Sequence, residues 1–278
     1  MRIPSQPPPS RRQSAFTMVE IAICLAIIVF GLVAVIGVLP IGMSVQKDNR
    51  EETIIGQDAG YFLDAIRRGD RGLDDLTNYV IAITNYVYHF NVDTSVDPWT
   101  TNLSPQDPVV YGFTTGSTVV DGVELPHGDS KEVLLTNGAR IIGLLSTPRY
   151  IYTNPAPSFY SNHVFADIRA LSGPVVDKFP QQDPNIRELA FGYRLIPEIV
   201  PAPMLETTSV LALTLRTNLH ELRLQFRWPL LPNGPGNNRL TYRTMLNASM
   251  TSEFYTDATN MRPLYFFNPN NLVFVPPQ

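Results

Sequence analysis

The longest unbroken apolar stretch of the chain lies near its N-terminus. Residues 21–46 carry no charged side chain, and Glu20 is the only acid between Arg12 and Lys47. As a helix this stretch is roughly 39 Å long, more than the ~30 Å of a hydrocarbon core. The pattern predicts a transmembrane helix over residues 16–46, with a kink at Pro40 because proline removes a backbone donor.

The next segment changes from continuous apolarity to helical periodicity. Ile55, Ala59, Phe62 and Ile66 recur at spacings of four, three and four residues, which places them on one helical face. Residues 47–69 are therefore predicted to continue the helix, as a spine against which a sheet packs, with a stop at Gly69. The polar side chains expected away from that face are Asp58, Asp64, Arg67 and Arg68.

Residues 70–278 have the pattern of a loop-rich β head, because 20 of the chain's 25 prolines and many turn residues divide short apolar segments. In "ELRLQFRWPLL", Leu222, Leu224, Phe226 and Trp228 alternate with polar residues, which is typical of a half-buried antiparallel strand. Further strands are predicted in "NYVIAITNYVYHF", "ELAFGYRLIPEIV", "SVLALTLRTNL" and "RLTYRTML", with "LPNGPGNN" as a turn. The segments "EVLLT" and "RIIGLLS" around Asn137-Gly138 predict a hairpin. The expected fold class is α+β, with the long helix packed on an antiparallel sheet.

Charge and cysteine content exclude some classes of protein. The net charge is −4 and no lysine-rich block occurs, so the sequence offers no electrostatic footprint for nucleic acid. Cys24 is the only cysteine, which rules out an intramolecular disulfide. Arg11 and Arg12 precede the apolar stretch, and basic residues beside a first span favour the cytoplasmic side. We therefore expect a single-pass protein whose residues 47–278 are exported.

The sequence gives little reason to expect an enzyme. His89, His127, His163 and His220 are far apart, and neither a metal-binding His/Cys spacing nor a Gly-x-Ser-x-Gly motif occurs. Acids in "DTSVD" (93–97) and "DGVELPHGD" (121–129) could bind calcium, but EF-hand spacing is missing and surface turns are the favoured interpretation. No other cofactor is expected.

The stretch "AFTMVEIAICLAIIVFGL" resembles the N-terminus of type IV pilins and pseudopilins. The resemblance implies a leader of residues 1–15, cleavage between Ala15 and Phe16 by a prepilin peptidase, and N-methylation of Phe16. The family usually has glycine before the cut, whereas this chain has Ala15. At the helix exit, "VIGVLPIGMS" is similar to the pilin-like proteins named Verru_Chthon cassette protein B.

The resemblance also implies a role for Glu20. In a pilin-like filament its carboxylate would pair with the amine of Phe16 on a neighbouring subunit, which relieves the cost of an unpaired charge in the membrane. The implied function is a minor pilin or pseudopilin in the inner membrane, with other pilin subunits as partners, in a type IV pilus or type II secretion-like filament at the periplasm or cell surface. Two alternatives stay open: Glu20 snorkels at a helix end, and the chain is a membrane-anchored binding module that does not polymerise.

Overall fold

The structure is a computed structural model that describes residues 16–91, 104–105, 107–114, 133–153, 158–173, 191–203, 209–255 and 262–274. The chain divides into two compact units, Met1–Glu51 and Glu52–Gln278. The first helix, α1 (Met18–Arg68), contributes residues to both units. It begins and ends within one residue of the helix that the hydrophobic pattern predicts.

In the first unit, the described residues form the apolar part of α1. This is the one described helix with a segment long and apolar enough to cross a membrane, and that segment is not buried within the protein. Pro40 lies inside this helix. The kink expected there remains a prediction.

In the second unit, the end of α1 is the spine of the core. Ile55, Ala59, Phe62 and Ile66 are fully buried, which confirms the predicted helical face. The helix stops at Gly69, whose φ of 61° is the left-handed conformation that glycine adopts without strain. The backbone N–H of Gly69 donates to the carbonyl of Ile66, and that of Asp70 to the carbonyl of Ala65, which is a Schellman motif.

Nine of the described strands form one sheet, in the order β4-β3-β1-β6-β7-β8-β9, with β2 beside β1 and β5 beside β6. All of its neighbouring pairs are antiparallel except β3 and β4. Two further strands, β10 and β11, pair with each other. The strands are β1 (Val80–Asn91), β2 (Ser104–Pro105), β3 (Val109–Thr114), β4 (Val133–Leu134), β5 (Tyr150–Thr153), β6 (Ser158–Arg169), β7 (Gly192–Pro201), β8 (Leu219–Leu231), β9 (Gly234–Asn247), β10 (Ser249–Tyr255) and β11 (Arg262–Asn268).

The inner side of the sheet packs on the spine. On β8, Leu222, Leu224, Phe226 and Trp228 are buried and belong to the same apolar cluster as Phe62, so the predicted alternation is confirmed. The residues between them on β8 point to the opposite side of the sheet, as the pleat requires. The described head is therefore α+β, with the helix on one side of a mainly antiparallel sheet.

Two predicted strands are helices, α2 (Gly138–Leu145) and α3 (Val210–Asn218), so the hairpin at Asn137-Gly138 is wrong. Asn137 instead caps α2, and its side chain accepts from the backbone N–H of Arg140 at 2.9 Å. Ser209 caps α3 in the same way. The physical reason for the error is that α2 is buried on nearly every side, so its apolar run has no period that separates helix from strand.

The turn between β8 and β9 is shorter than "LPNGPGNN" suggests. Leu231 pairs with Gly234, which leaves two residues in the turn, and the rest of the segment belongs to β9. A 3-10 helix (Asp74–Asn78) follows α1 and completes the regular structure of the described residues.

Candidate functional site

The first turn of α1 holds Glu20 in a reciprocal hydrogen-bonded arrangement with Thr17. The backbone N–H and the hydroxyl of Thr17 donate to Oε2 of Glu20 at 2.9 and 3.0 Å. In return the backbone N–H of Glu20 donates to the hydroxyl of Thr17 at 3.3 Å. This is a capping box, in which two otherwise unpaired donors at a helix start are satisfied. The signal was present in the sequence as Thr-x-x-Glu, and the sequence analysis missed it.

The capping box leaves part of the carboxylate free. Within the described residues Oε1 of Glu20 accepts no hydrogen bond, and the side chain is exposed. Phe16 precedes the box and is 81% exposed. Glu20 can therefore cap its own helix and still offer one oxygen to a cationic group of another molecule.

The helix that follows is apolar around its whole circumference. Its large side chains are exposed on every side, from Met18 (88%) through Phe30 (76%) to Met43 (63%). A helix of this kind requires lipid or other apolar helices around it, because exposing its surface to water is unfavourable. Glu20 lies at one end of this surface and Lys47 follows the other end.

A buried acid joins the spine to the sheet within the second unit. Asp58 is only 1% exposed. Its Oδ2 accepts from the backbone N–H of Leu171 (2.9 Å) and the hydroxyl of Tyr193 (2.9 Å). Its Oδ1 accepts from the backbone N–H (3.0 Å) and the hydroxyl (2.6 Å) of Ser172. We call these four residues the Asp58 cluster. Asp58 was expected away from the packed face, and that expectation is wrong because these donors make its burial tolerable.

The Asp58 cluster perturbs both of its ionisable groups. Burial raises the pKa of Asp58, against the opposing effect of its four hydrogen bonds. Burial and the nearby Asp58 raise the pKa of Tyr193 well above its ordinary value. The cluster fixes α1 against the end of β6 and against β7, and its contacts are structural in character.

The outer side of β7, β8 and β9 carries rows of arginines. Arg194, Arg227 and Arg239 are register partners across the three strands. Four residues before Arg227 on β8, Arg223 is the register partner of Glu198 on β7 and of Arg243 on β9. We call these five arginines the arginine face: Arg194, Arg223, Arg227, Arg239 and Arg243.

Carboxylates pair with only part of the arginine face. Arg194 binds Asp167 through two hydrogen bonds of 2.6 and 2.8 Å. Arg223 binds Glu221 through two hydrogen bonds of 2.8 Å and lies 3.5 Å from Glu198. Within the described residues, the other three arginines have no carboxylate at ion-pair distance.

A groove of about 360 Å³ opens on the same side of the sheet. Beside two members of the arginine face, it is lined by Arg149, His163, Glu198 and Gln225. Burial lowers the pKa of His163, and the nearby positive charge of Arg149 lowers it further. At neutral pH the groove therefore presents an uncharged imidazole among guanidinium groups.

The predicted site residues fall into two groups. Phe16, Glu20 and Pro40 lie in the described part of α1, whereas Ala15 and both candidate calcium segments, 93–97 and 121–129, lie outside the described residues. Within the described residues, no three His, Cys, Asp or Glu side chains are arranged to hold a metal ion. His89 stacks on Tyr160 instead.

The fold and the site define an α+β chain with one candidate membrane-spanning helix, a capped carboxylate at its start and a basic outer sheet face. Comparisons with protein-family models, curated proteins and solved structures find no match. The functional interpretation therefore depends on the residues and contacts of this chain.

Proposed function

We propose that this chain is a structural pilin-like subunit, a minor pilin or pseudopilin, that is processed between Ala15 and Phe16 and polymerises through its N-terminal helix. The observation that carries the proposal is a long helix, apolar and exposed on all sides, with one carboxylate in its first turn. Its partners are a prepilin peptidase and other pilin-like subunits. Its location is the cytoplasmic membrane, with a type IV pilus or type II secretion-like filament as the assembled form.

The electrostatics of the helix start support this proposal. A charged side chain within a bilayer costs a few kcal/mol, roughly 2.5–3.5 on insertion scales. Pairing with an opposite charge offsets part of that cost. Cleavage before Phe16 would create such a charge, a terminal amine, on every subunit. The free Oε1 of Glu20 gives a neighbouring amine a partner without breaking the bonds that Thr17 makes to Oε2.

The rest of the fold is consistent with a subunit of this kind. Residues beyond the apolar segment continue α1 into the head, where they form the spine of the sheet. The Asp58 cluster holds that spine by hydrogen bonds to two separate parts of the head. Such a head would stay attached to a helix that is held in a filament.

Mass spectrometry of the N-terminus tests the processing step. The protein is isolated from its native membranes, and its first residue is determined. A chain that starts at Phe16 with the added mass of one methyl group supports pilin-type processing. An intact Met1, or a start beyond residue 40, contradicts it.

Substitutions in the capping box separate the helix cap from the charge. Glu20→Gln keeps an oxygen that accepts from Thr17, because glutamine also serves in capping boxes, and removes only the charge. Thr17→Val keeps the charge and removes the hydroxyl. Filaments sheared from cells are assayed by immunoblot against the membrane fraction. We expect Glu20→Gln to abolish incorporation and Thr17→Val to retain it.

Absence of the wild-type chain from the sheared filaments would support the second candidate function, a membrane-anchored binding module that does not polymerise. In that case the wild-type chain stays in the membrane fraction, and Glu20→Gln has no effect. The arginine face is the observation that favours a binding role for the head, whether or not the chain polymerises.

A further inference from the structure

We propose that the arginine face binds an acidic polysaccharide, a polymer in which carboxylate groups are spaced along a neutral sugar chain. This inference concerns the head alone, and it goes beyond the role of the N-terminal helix in assembly.

The charge of the arginine face favours an anionic ligand. The whole chain has a net charge of −4, yet the five members of the arginine face outnumber the three carboxylates that lie among them. Arg239 and Arg243 are exposed and make no ion pair within the described residues. The charge of Arg243 lowers the pKa of Glu221 from beyond ion-pair distance. This side of the sheet therefore has positive charge available for an anionic ligand.

The spacing of the arginines favours a polymer with separated charges. Arg223 and Arg227 are four residues apart on β8, roughly 13 Å along a strand. Between their rows lie Gln225 and Thr241, which are register partners and whose side chains can hydrogen bond with hydroxyl groups. On β8 and β9, two pairs of arginines with a neutral polar pair between them match a polymer whose charges are separated by uncharged, hydroxyl-bearing units.

A groove beside the exposed arginines offers a concave surface to the ligand. Arg149, His163 and Gln225 help to line a concave space of about 360 Å³ beside the exposed arginines. Arg243, which also lines the groove, is exposed. Carboxylates are good acceptors for its guanidinium group, because arginine binds them through two parallel hydrogen bonds.

The carboxylates on this side of the sheet distinguish among polyanions. Asp167, Glu198 and Glu221 lie among the arginines and would repel the closely spaced phosphates of a nucleic acid. The same oxygens can accept hydrogen bonds from sugar hydroxyls. A lipid surface fits less well, since Ile196, the apolar residue between the rows on β7, is only partly exposed.

The test uses the full chain in nonionic detergent and fluorescently labelled alginate, a polymer of uronic acids. Binding is measured by anisotropy at physiological ionic strength, with neutral dextran and duplex DNA as comparison ligands. The test variant is Arg239→Gln/Arg243→Gln, and both positions are exposed. The matched control is Arg67→Gln/Arg216→Gln, which removes the same charge from exposed positions on α1 and α3.

We expect alginate to bind the wild type and the control with equal affinity. The test variant should bind alginate at least about tenfold more weakly, because two charge-assisted contacts are lost. Dextran should not bind, and DNA should bind more weakly than alginate. The proposal is overturned by absence of alginate binding, by equal loss in the two variants, or by DNA that binds as tightly as alginate. A circular dichroism spectrum unchanged from wild type confirms that each variant is folded.

Discussion

Replacing Asp58 by alanine should destabilise the head more than replacing any other polar residue in the part of α1 that belongs to the head. The substitution removes both carboxylate oxygens and leaves three donors without an acceptor, the backbone N–H groups of Leu171 and Ser172 and the hydroxyl of Tyr193. The hydroxyl of Ser172 also reaches the carbonyl of Ile54 at 3.3 Å and keeps that acceptor. Tyr193 is fully buried, so its hydroxyl has no access to water when the carboxylate is gone.

The size of the effect follows from these contacts. One buried donor without a partner costs about 1–3 kcal/mol, and a hydrogen bond to a charged group contributes about 1.5–3 kcal/mol. Leu171 and Ser172 are partly exposed, so water can replace part of what their donors lose. Alanine regains about 0.5 kcal/mol of helix propensity. We expect a net loss of about 3 kcal/mol in the free energy of unfolding.

Two companion variants sharpen the measurement. Tyr193→Phe removes one hydrogen bond and leaves no unpaired hydroxyl, so we expect a loss of about 1–2 kcal/mol. The double variant Asp58→Ala/Tyr193→Phe should lose less than the sum of the two single variants, because the pair is in direct contact. Asp64→Ala is the matched control, since Asp64 is exposed on the same helix and, among the described residues, pairs with Arg68 alone. Its loss should stay below about 0.5 kcal/mol.

The assay is urea unfolding of the full chain in nonionic detergent, followed by tryptophan fluorescence; one of the two tryptophans, Trp228, is buried in the head core. If Asp58→Ala unfolds within 0.5 kcal/mol of the wild type, the cluster does not hold the spine and the reasoning fails. Equal losses of unfolding free energy in Asp58→Ala and Asp64→Ala would show a general effect of alanine in this helix, which also contradicts a specific role of the Asp58 cluster.

Three other predictions concern single positions in the head, each checked by the same unfolding assay. Gly69→Ala should lower the free energy of unfolding by more than about 1 kcal/mol, because φ is positive and a Cβ would collide with the carbonyl of Phe267. Gly60 has open space around it, so Gly60→Ala should raise the free energy of unfolding by up to about 1 kcal/mol. Asn137→Ala removes the cap of α2 and should cost about 1 kcal/mol; no change would mean that the cap is dispensable. Burial lowers the pKa of His220 below its value of about 6.5 in the unfolded chain, so the free energy of unfolding should fall as pH falls below about 6.5. This fall should be smaller in His220→Gln. Equal slopes of the free energy against pH in the two proteins would exclude His220 as the cause.

The spine and the central strands could be predicted because each buries only one side. Ile55 to Ile66 repeat at the period of a helix, and Leu222 to Trp228 repeat at the period of a strand, so the sequence shows which side is inward. In α2, Ile141, Ile142, Leu144 and Leu145 are all buried, and no period remains to be seen. The sequence signal for this helix is the cap at Asn137, and it is ambiguous because an Asn-Gly pair is equally typical of a turn.

The candidate sites depended on more than the local pattern. The partners of Asp58 lie 113 to 135 residues away along the chain, so its burial was not visible in its helical period. Arg223 and Arg227 alternate visibly on β8, but their rows exist only because β7 and β9 are its neighbours in a particular register. The capping box, by contrast, was local and could have been found from Thr-x-x-Glu alone.

The position of β9 at one end of the sheet gives its arginines a second consequence. In the described part of the chain β9 has a partner on one side only, so its other edge presents unpaired backbone N–H and C=O groups. An open edge invites strand addition from another copy, and charged side chains discourage it. Arg239 and Arg243 project from this edge strand, so like charges would meet wherever two heads approached edge to edge. The same side chains thus guard against aggregation when many copies are crowded together.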